Sequence, residues 1–432
     1  MNPGLQLLRD YESRNVTYIA EDGSWPIVWE RAKGVHVWDT DGKKYLDLTG
    51  AFGVAATGHA NPRIIKAAQQ QLEKLPHAMG DVHPHTLKGE LARELSKLIF
   101  ERWKLGRGKT IFCNSGFEAV EAALKTALLA TGKKGVIAFE GAYHGLGYGT
   151  LSTTHRRLFN KPFQNQLGKF GHFAPFPENH PELTKSKRAL EKLFKDHSIG
   201  AVLVEPIQGR AGMRVPPSGF LKLLRKLCDK HGALLIFDEI YTGFGRTGRW
   251  FACEDDSIYP NLICLGKALT NGFPLSACVG TANTMDRAWP KSEGEAIHTS
   301  TFLGHPVGCA MALAQISEIK EKKLLRQANR IGKWFHKYTK GKFPCAKGLP
   351  IYKKFIGGMN SITVCKPELN ANENPDTEFV SAVVRDMLKR GFILLPAGEH
   401  GNVIMFTPPL TITEKQIERT FKALEKSFKA CA

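Results

Sequence analysis

Residues 233–248 read Ala-Leu-Leu-Ile-Phe-Asp-Glu-Ile-Tyr-Thr-Gly-Phe-Gly-Arg-Thr-Gly. Five apolar residues, Ala233 to Phe237, run without a break into Asp238 and Glu239. Glycines at 243, 245 and 248 punctuate the loop beyond them. A short unbroken apolar run closed by turn residues predicts a strand buried on both faces, as in a parallel sheet. Ligands of such sheets sit at the carboxyl ends of the strands, and Asp238 falls at that end. The next apolar run, Leu262 to Leu265, ends in Gly266 and Lys267. A carboxylate and an amine therefore leave neighbouring runs at equivalent positions.

Outward from this strand, helical and extended patterns alternate. Leu87 to Phe100 reads as an amphipathic helix, Thr110 to Cys113 as a strand, and Phe117 to Leu129 as an alanine-rich helix. Gly135 to Phe139 and Ala201 to Val204 read as strands, Leu190 to Phe194 and Phe220 to His231 as helices. Such alternation predicts an α/β fold with right-handed crossovers, a mostly parallel sheet and helices on both faces. Upstream, Trp25 to Glu30, Val35 to Trp38 and Tyr45 to Leu48, with the turn Asp39-Thr-Asp-Gly42, predict a small antiparallel meander. Pro306 to Glu321 is a long helix leading out of the sheet region. Beyond about residue 325 the pattern changes. A helix over Asp376 to Arg390 precedes short strands at Phe392 to Leu395 and Val403 to Phe406. A Thr413-x-x-Gln416 capping box then opens the last helix. The expected organisation is an arm and meander over 1–60, a large domain over 61–324 and a C-terminal segment over 325–432. The first and last would combine into a smaller α+β domain.

Composition narrows the function classes. At 432 residues, with 42% hydrophobic and 23% charged residues, the chain has the make-up of a globular protein with a large core. No apolar run approaches the roughly 18 residues of a membrane span, so none is expected. The polar, partly acidic N-terminus, Met1 to Arg14, does not resemble a signal peptide. Nine scattered cysteines, odd in number and without Cys-x-x-Cys, fit free thiols in a reducing cytoplasm. His83-Pro-His85 lacks further ligands at useful spacing, so no metal is expected. The net charge of +19 would suit a nucleic-acid binder. The basic residues are spread along the chain, however, which reads as a solvated surface that also attracts small anions.

The pair Asp238 and Lys267 fits one cofactor chemistry. Pyridoxal phosphate is held as an imine on a lysine, with a carboxylate against its pyridine nitrogen. That carboxylate favours the protonated ring, which accepts electrons when a bond at the substrate carbon breaks. The displaced lysine is then placed to move the proton. Taken singly, Asp238 is equally a turn cap and Lys267 a surface lysine. Three further strand ends decide between these readings. Asn114-Ser115-Gly116-Phe117-Glu118 sits between a strand and a helix, where first-turn N–H groups suit a phosphate; Ser115-x-x-Glu118 is also a plain capping box. Tyr143 and His144 follow the strand ending at Phe139, where an aromatic ring can stack on a flat cofactor or simply fill the core. Glu205 closes the strand Ala201 to Val204 and opens Glu-Pro-Ile-Gln-Gly-Arg210. Five strand ends with polar groups make the joint reading outweigh the separate ones.

These residues carry a resemblance. Asn114-Ser-Gly-x-Glu-Ala119, Tyr143-His-Gly145, Glu205-Pro-Ile-Gln-Gly209, the stretch Asp238 to Gly248, Gly266-Lys267 and Ser300-Thr-Phe302 resemble the class-III aminotransferases. These are pyridoxal-phosphate enzymes of the type I fold, among them ornithine, acetylornithine and 4-aminobutyrate aminotransferases. The likeness runs in order from about residue 28 to the C-terminus, with Val37-Trp-Asp-x-Asp-Gly42 and Pro408-Pro-Leu410 inside it. It implies that Lys267 forms the imine and Asp238 pairs with the pyridine nitrogen, with His144 and Glu205 also at the cofactor. Tyr143 and Ile240 would cover the two ring faces. Ser115, Gly116 and Phe117 would hold the phosphate, with Thr301 reaching it from the partner subunit of a homodimer. The substrates it implies are an amine and a 2-oxo acid. A racemase, epimerase or aminomutase on the same scaffold is the alternative, and a basic nucleic-acid-binding protein without catalysis the rival from another class.

The chain departs from the family pattern at several points. Phe117 stands where Thr is frequent, and Tyr241 where Gln is common beside the ring oxygen. Leu146 and Met405 occupy positions that often hold arginines in relatives acting on α-amino carboxylates, and Arg210 one where several relatives have Glu. Arg210 is thus the candidate substrate cation, unless it pairs with an acid such as Glu239 or points to solvent. With that single cation, dicarboxylic glutamate is expected to be a poor donor.

Overall fold

In the computed structural model, which describes residues 2–340, 351–366 and 375–431, Leu234–Asp238 is the middle strand of a seven-stranded sheet. The strands in chain order are β1 (Trp29–Lys33), β2 (His36–Asp39), β3 (Lys44–Asp47), β4 (Gly108–Cys113), β5 (Gly135–Phe139), β6 (Gly171–Ala174), β7 (Ile199–Val204), β8 (Leu234–Asp238), β9 (Leu262–Leu265), β10 (Ser276–Thr281), β11 (Ile351–Ile356), β12 (Met359–Val364), β13 (Phe392–Ile393), β14 (Leu395–Ala397) and β15 (Val403–Phe406). The large sheet has the order β4-β10-β9-β8-β7-β5-β6. Its β6, β5, β7, β8 and β9 are parallel neighbours, while β10 runs antiparallel to β9 and β4. It is the mostly parallel, helix-covered sheet of a type I fold.

The apolar run of β8 is unbroken because both faces are covered. Leu235 and Phe237 point into a core shared with Phe220, Leu224 and Cys228 of helix Phe220–His231 and with Leu91 and Leu95 of helix Thr86–Ser96. Leu234 and Ile236 point the other way, onto Ala119, Ala122, Ala123 and Ala127 of helix Gly116–Thr131. The alanines let that helix lie close against the sheet.

The meander β1–β3 is completed by β13, which pairs parallel to β3 through Phe392 with Leu46 and Ile393 with Asp47. The N-terminal and C-terminal segments therefore share one small sheet. A third sheet, in the order β11-β12-β15-β14, also belongs to the C-terminal segment.

Three features differ from the sequence expectation. β6 and β10 carry no bulky apolar run; Ser276-Ala-Cys-Val-Gly-Thr281 is fully inserted between β4 and β9 yet built largely of small residues. The helix expected over Leu190 to Phe194 spans His180–Asp196 and is capped by the Asn179 side chain. Its buried stripe begins with Ser186 instead of an apolar residue, so the periodicity shows only in its second half. The single strand expected over Phe392 to Leu395 divides at Leu394 between two sheets. Among the described residues, no helix is long and apolar enough to cross a membrane.

Candidate active site

Asp238 and Lys267 reach the same edge of the sheet because of the β8–β9 register. Asp238 pairs with Cys264, and Lys267 lies three residues beyond that cysteine. The Asp238 carboxylate is 5% exposed. Its Oδ2 is 2.8 Å from His144 Nδ1, and its Oδ1 accepts from the Ile240 N–H at 3.1 Å. A carboxylate only accepts, so Nδ1 carries the hydrogen in this pair. His144 Nε2 is buried with no hydrogen-bond partner among the described residues.

Lys267 has φ +38°, in the left-handed region that a non-glycine residue enters at a cost of about 1–3 kcal/mol. Its ammonium lies 4.6 Å from the centroid of the Tyr241 ring and takes part in no ion pair among the described residues. Burial holds its pKa below the ordinary lysine value, and the Arg210 charge adds to this, while Asp238 and Glu205 oppose it. A depressed amine pKa raises the neutral fraction that a nucleophile or base requires.

The Ser115 turn joins β4 to helix Gly116–Thr131. Glu118 Oε2 accepts from the N–H groups of Asn114 and Ser115 at 2.6 and 3.1 Å. The Ser276 hydroxyl donates to the Ser115 carbonyl at 2.6 Å. The expected Ser115-x-x-Glu118 capping box is present, with the Ser115 side chain turned to the Glu118 N–H; the hydroxyl is buried and makes no full hydrogen bond among the described residues. The N–H groups of Gly116 and Phe117 lie in the first helical turn, which has no carbonyl above it. A buried hydroxyl and free amides at a helix N-terminus fit a phosphate. A Cβ at Gly116 would come within 3.0 Å of Ile240, so a side chain there would crowd the residue between this turn and Gly266. Thr301 is exposed. Its neighbour Ser300 comes within 3.5 Å of Asn114 of the same chain.

Glu205, expected at the cofactor, turns to the backbone: it accepts from the N–H groups of Tyr143 and Gly209 at 3.0 and 3.1 Å. The buried carboxylate ties two loops together. Burial and the nearby Asp238 charge push its pKa up to about 7, against the pull of His144. The Arg210 guanidinium lies 4.7 Å over the Tyr143 ring and 5.2 Å over that of Phe159, and Tyr143 and Phe159 meet edge to face at 5.5 Å. Arg210 does not meet Glu239. That carboxylate instead accepts from Thr242 and from the N–H groups of Ala252 and Cys253, so it braces its own loop. The Tyr241 hydroxyl lies 3.3 Å from Thr407 Oγ1 and 3.9 Å from Met405 Sδ. Leu146 is half exposed and Met405 buried.

Arg156 is a site residue without a signal in the sequence. Backbone and side-chain bonds pin 154–156 beside 142–145, with His155 N–H donating to the Ala142 carbonyl and His144 N–H to Thr154 Oγ1. The return of the chain brings Arg156 into the same cleft as Tyr143 and Arg210. No motif surrounds Arg156, so only the tertiary fold reveals it. The described residues contain no cluster of three metal-ligating side chains.

The family model of the class-III aminotransferases matches residues 17–428. A 5-aminovalerate aminotransferase of Pseudomonas aeruginosa is 36% identical over 416 residues, covering 93% of each chain. An acetylornithine aminotransferase of Methanosarcina mazei is 35% identical over 405 residues, covering 94% of this chain and 92% of its own. A structure of the Toxoplasma gondii ornithine aminotransferase, with partial occupancy of PLP at its active site, superposes with a TM-score of 0.82 at 28% identity, covering 99% of this chain and 94% of that one. The isomerase and nucleic-acid alternatives find no support in these likenesses. Pyridoxal phosphate fits the buried Ser115 hydroxyl at a helix N-terminus, the buried Asp238–His144 pair and a Lys267 amine without an ion pair among the described residues, and the chain belongs to the class-III aminotransferases, which move amino groups with that cofactor.

Proposed function

We propose that the enzyme moves an amino group from a primary amine or amino acid to a 2-oxo acid, with Lys267 as the catalytic amine. Asp238 would face the pyridine nitrogen of the cofactor and Arg210 the carboxylate of the 2-oxo acid. The observation that carries this reading is the meeting of Lys267, Asp238 and the Ser115 turn at the carboxyl edge of one sheet. When bound, pyridoxal phosphate supplies an electron sink for the bond that breaks at the substrate carbon. Lys267 would hold the cofactor, and its Nζ would be the group that carries the proton. Asp238 would keep a negative charge against the ring nitrogen, and His144 fixes the direction of that carboxylate. Tyr143 and Ile240 would cover the ring faces and exclude water. Ser115 and the amides of Gly116 and Phe117 hold the phosphate.

A 2-oxo acid brings a carboxylate into a site partly closed to water, and an unpaired charge there costs several kcal/mol. Leu146 and Met405 offer no charge, whereas the Arg210 guanidinium does. A relative named for 5-aminovalerate supports donors whose amine and carboxylate lie at opposite ends of an apolar chain. The test is a half-reaction screen, in which amines are mixed with the holoenzyme and conversion to the pyridoxamine form is followed by absorbance. Arg210→Gln should slow α-amino acids roughly ten- to a hundredfold and spare amines without a carboxylate, from about 1.5–3 kcal/mol per charge-assisted bond. Equal slowing of both classes, or of neither, would remove Arg210 from this role.

A homodimer with shared sites belongs to the same reading. Thr301 is exposed, as are Met79, Val82, Ile297 and Phe302, the apolar side chains a second copy would cover. Thr301 would reach the phosphate of the partner. Sedimentation should find a dimer at nanomolar concentration, and Thr301→Ala should weaken cofactor retention by about 1.5–3 kcal/mol. A stable, active monomer would contradict this. A reducing cytoplasm suits the eight free cysteines of the described residues, seven of them buried.

A further inference from the structure

The cleft beside Tyr143 holds two guanidiniums with no carboxylate on either. Arg210 lies 5.2 Å from the centroid of the Phe159 ring and Arg156 5.7 Å from the same centroid. One ring therefore faces two positive charges. Neither arginine takes part in an ion pair among the described residues, and both line the same cavity with His155, Phe159 and Glu399. Glu399 meets Arg156 only through its backbone carbonyl, which accepts from Nη2 at 3.1 Å. The rest of that guanidinium fork has no acceptor among the described residues. His155 Nδ1, in the same cavity, is buried with no hydrogen-bond partner among the described residues.

Two like charges over one apolar ring repel each other, and the repulsion grows where water is thinned. Carboxylates relieve it best, because the planar guanidinium fork matches a carboxylate edge bidentately. The loop that carries Glu399 is latched to both arginines: Gly398 N–H donates to the Arg210 carbonyl, and Glu399 accepts from Arg156. Arg156 is thus held in place from the C-terminal segment while its remaining donors are free for a ligand.

We propose that Arg156 is a specificity-determining residue for the amino-transfer reaction and binds the distal carboxylate of the substrate, the one remote from the reacting carbon. The proposal rests on the reading of Arg210 as the cation for the near carboxylate. Together the two guanidiniums form a two-point site that selects ω-amino acids at Arg156, α-amino acids at Arg210 and dicarboxylic substrates at both. It reverses the expectation that a dicarboxylic donor fits poorly, since that expectation counted Arg210 alone.

The test uses holoenzyme and four substrate classes: amines without a carboxylate, apolar α-amino acids, ω-amino acids and dicarboxylic amino acids. Arg156→Gln should raise KM for the last two by roughly ten- to a hundredfold with kcat changed little, and leave the first two unchanged. Arg156→Lys should restore part of the loss. Arg210→Gln should instead impair the α-amino and dicarboxylic classes and spare the ω-amino acids. If Arg156→Gln alters no class, or all four alike, the assignment of Arg156 falls. If Arg210→Gln alone has no selective effect while Arg156→Gln behaves as stated, the near-carboxylate reading fails and Arg156 stands.

Discussion

Lys267→Ala should abolish transamination, with turnover falling by roughly a thousandfold or more. The position combines three features that a surface lysine lacks. Its backbone is held at φ +38°, its amine lies over the Tyr241 ring, and it lies one strand from Asp238. Loss of the amine removes both the covalent hold on the cofactor and the group that moves the proton, and acid–base catalysis alone contributes about 10²–10⁴-fold. The Ser115 turn does not depend on Lys267, so the variant should still take up pyridoxal phosphate without a covalent bond. Borohydride treatment of the wild-type holoenzyme should fix the cofactor to the peptide containing Lys267, and treatment of the variant should leave the protein mass unchanged. A borohydride-stable linkage in Lys267→Ala, or retention of a tenth of the activity, would move the catalytic amine elsewhere. Lys267→Arg should fail as completely, because a guanidinium stays protonated and cannot serve as the nucleophile.

The central strand was legible because burial on both faces leaves a signature in composition. Ala233 to Phe237 alternate between two cores, yet every residue is apolar, and a two-sided parallel strand is the arrangement that requires this. Lys267 and Asp238 were legible for a related reason: each interrupts such a run at its carboxyl end. β10 was not legible. Ser276, Ala277 and Gly280 are buried yet small, Gly280 because Leu262 of β9 and Met285 leave no room for a side chain, and small residues look like loop in isolation. The helix His180–Asp196 was half hidden because Ser186 fills its buried stripe, and a serine does not register as core. Within the site, Glu205 was visible as a strand-end acid, but its engagement by the N–H groups of Tyr143 and Gly209 depends on how two loops meet. Arg156 lies beyond any local pattern, since residues 142–145 and 154–156 come together only through their mutual hydrogen bonds. Strand ends announce themselves in sequence; contacts made by returning loops do not.

Asp238→Asn is expected to lower activity nearly as far as loss of the lysine while leaving the fold intact. The amide matches the carboxylate in shape, and its oxygen can still accept from His144 Nδ1, although its NH2 then faces the Ile240 N–H that Asp238 Oδ1 accepts from in the wild type. The charge disappears. An opposite charge at contact distance raises the pKa of a basic ring nitrogen by about 1–3 units, and each unit is worth about 1.4 kcal/mol. Without it, the protonated fraction at neutral pH should fall roughly ten- to a thousandfold, and kcat with it. This sets the sign of the pH dependence. The variant should regain activity as pH is lowered toward the depressed pKa of the ring nitrogen, whereas the wild type should not. Glu205 provides an internal check, because the Asp238 charge is one cause of its raised pKa, after burial. Removing that charge lets Glu205 ionise more readily, which favours its bonds to Tyr143 and Gly209. This gain offsets the lost acceptor at the Ile240 N–H, so the melting temperature of Asp238→Asn should stay close to that of the wild type. A variant that is cold and heat labile as well as inactive would make Asp238 a structural residue. One that keeps a third of wild-type kcat at neutral pH would show that its charge is not needed at the ring nitrogen.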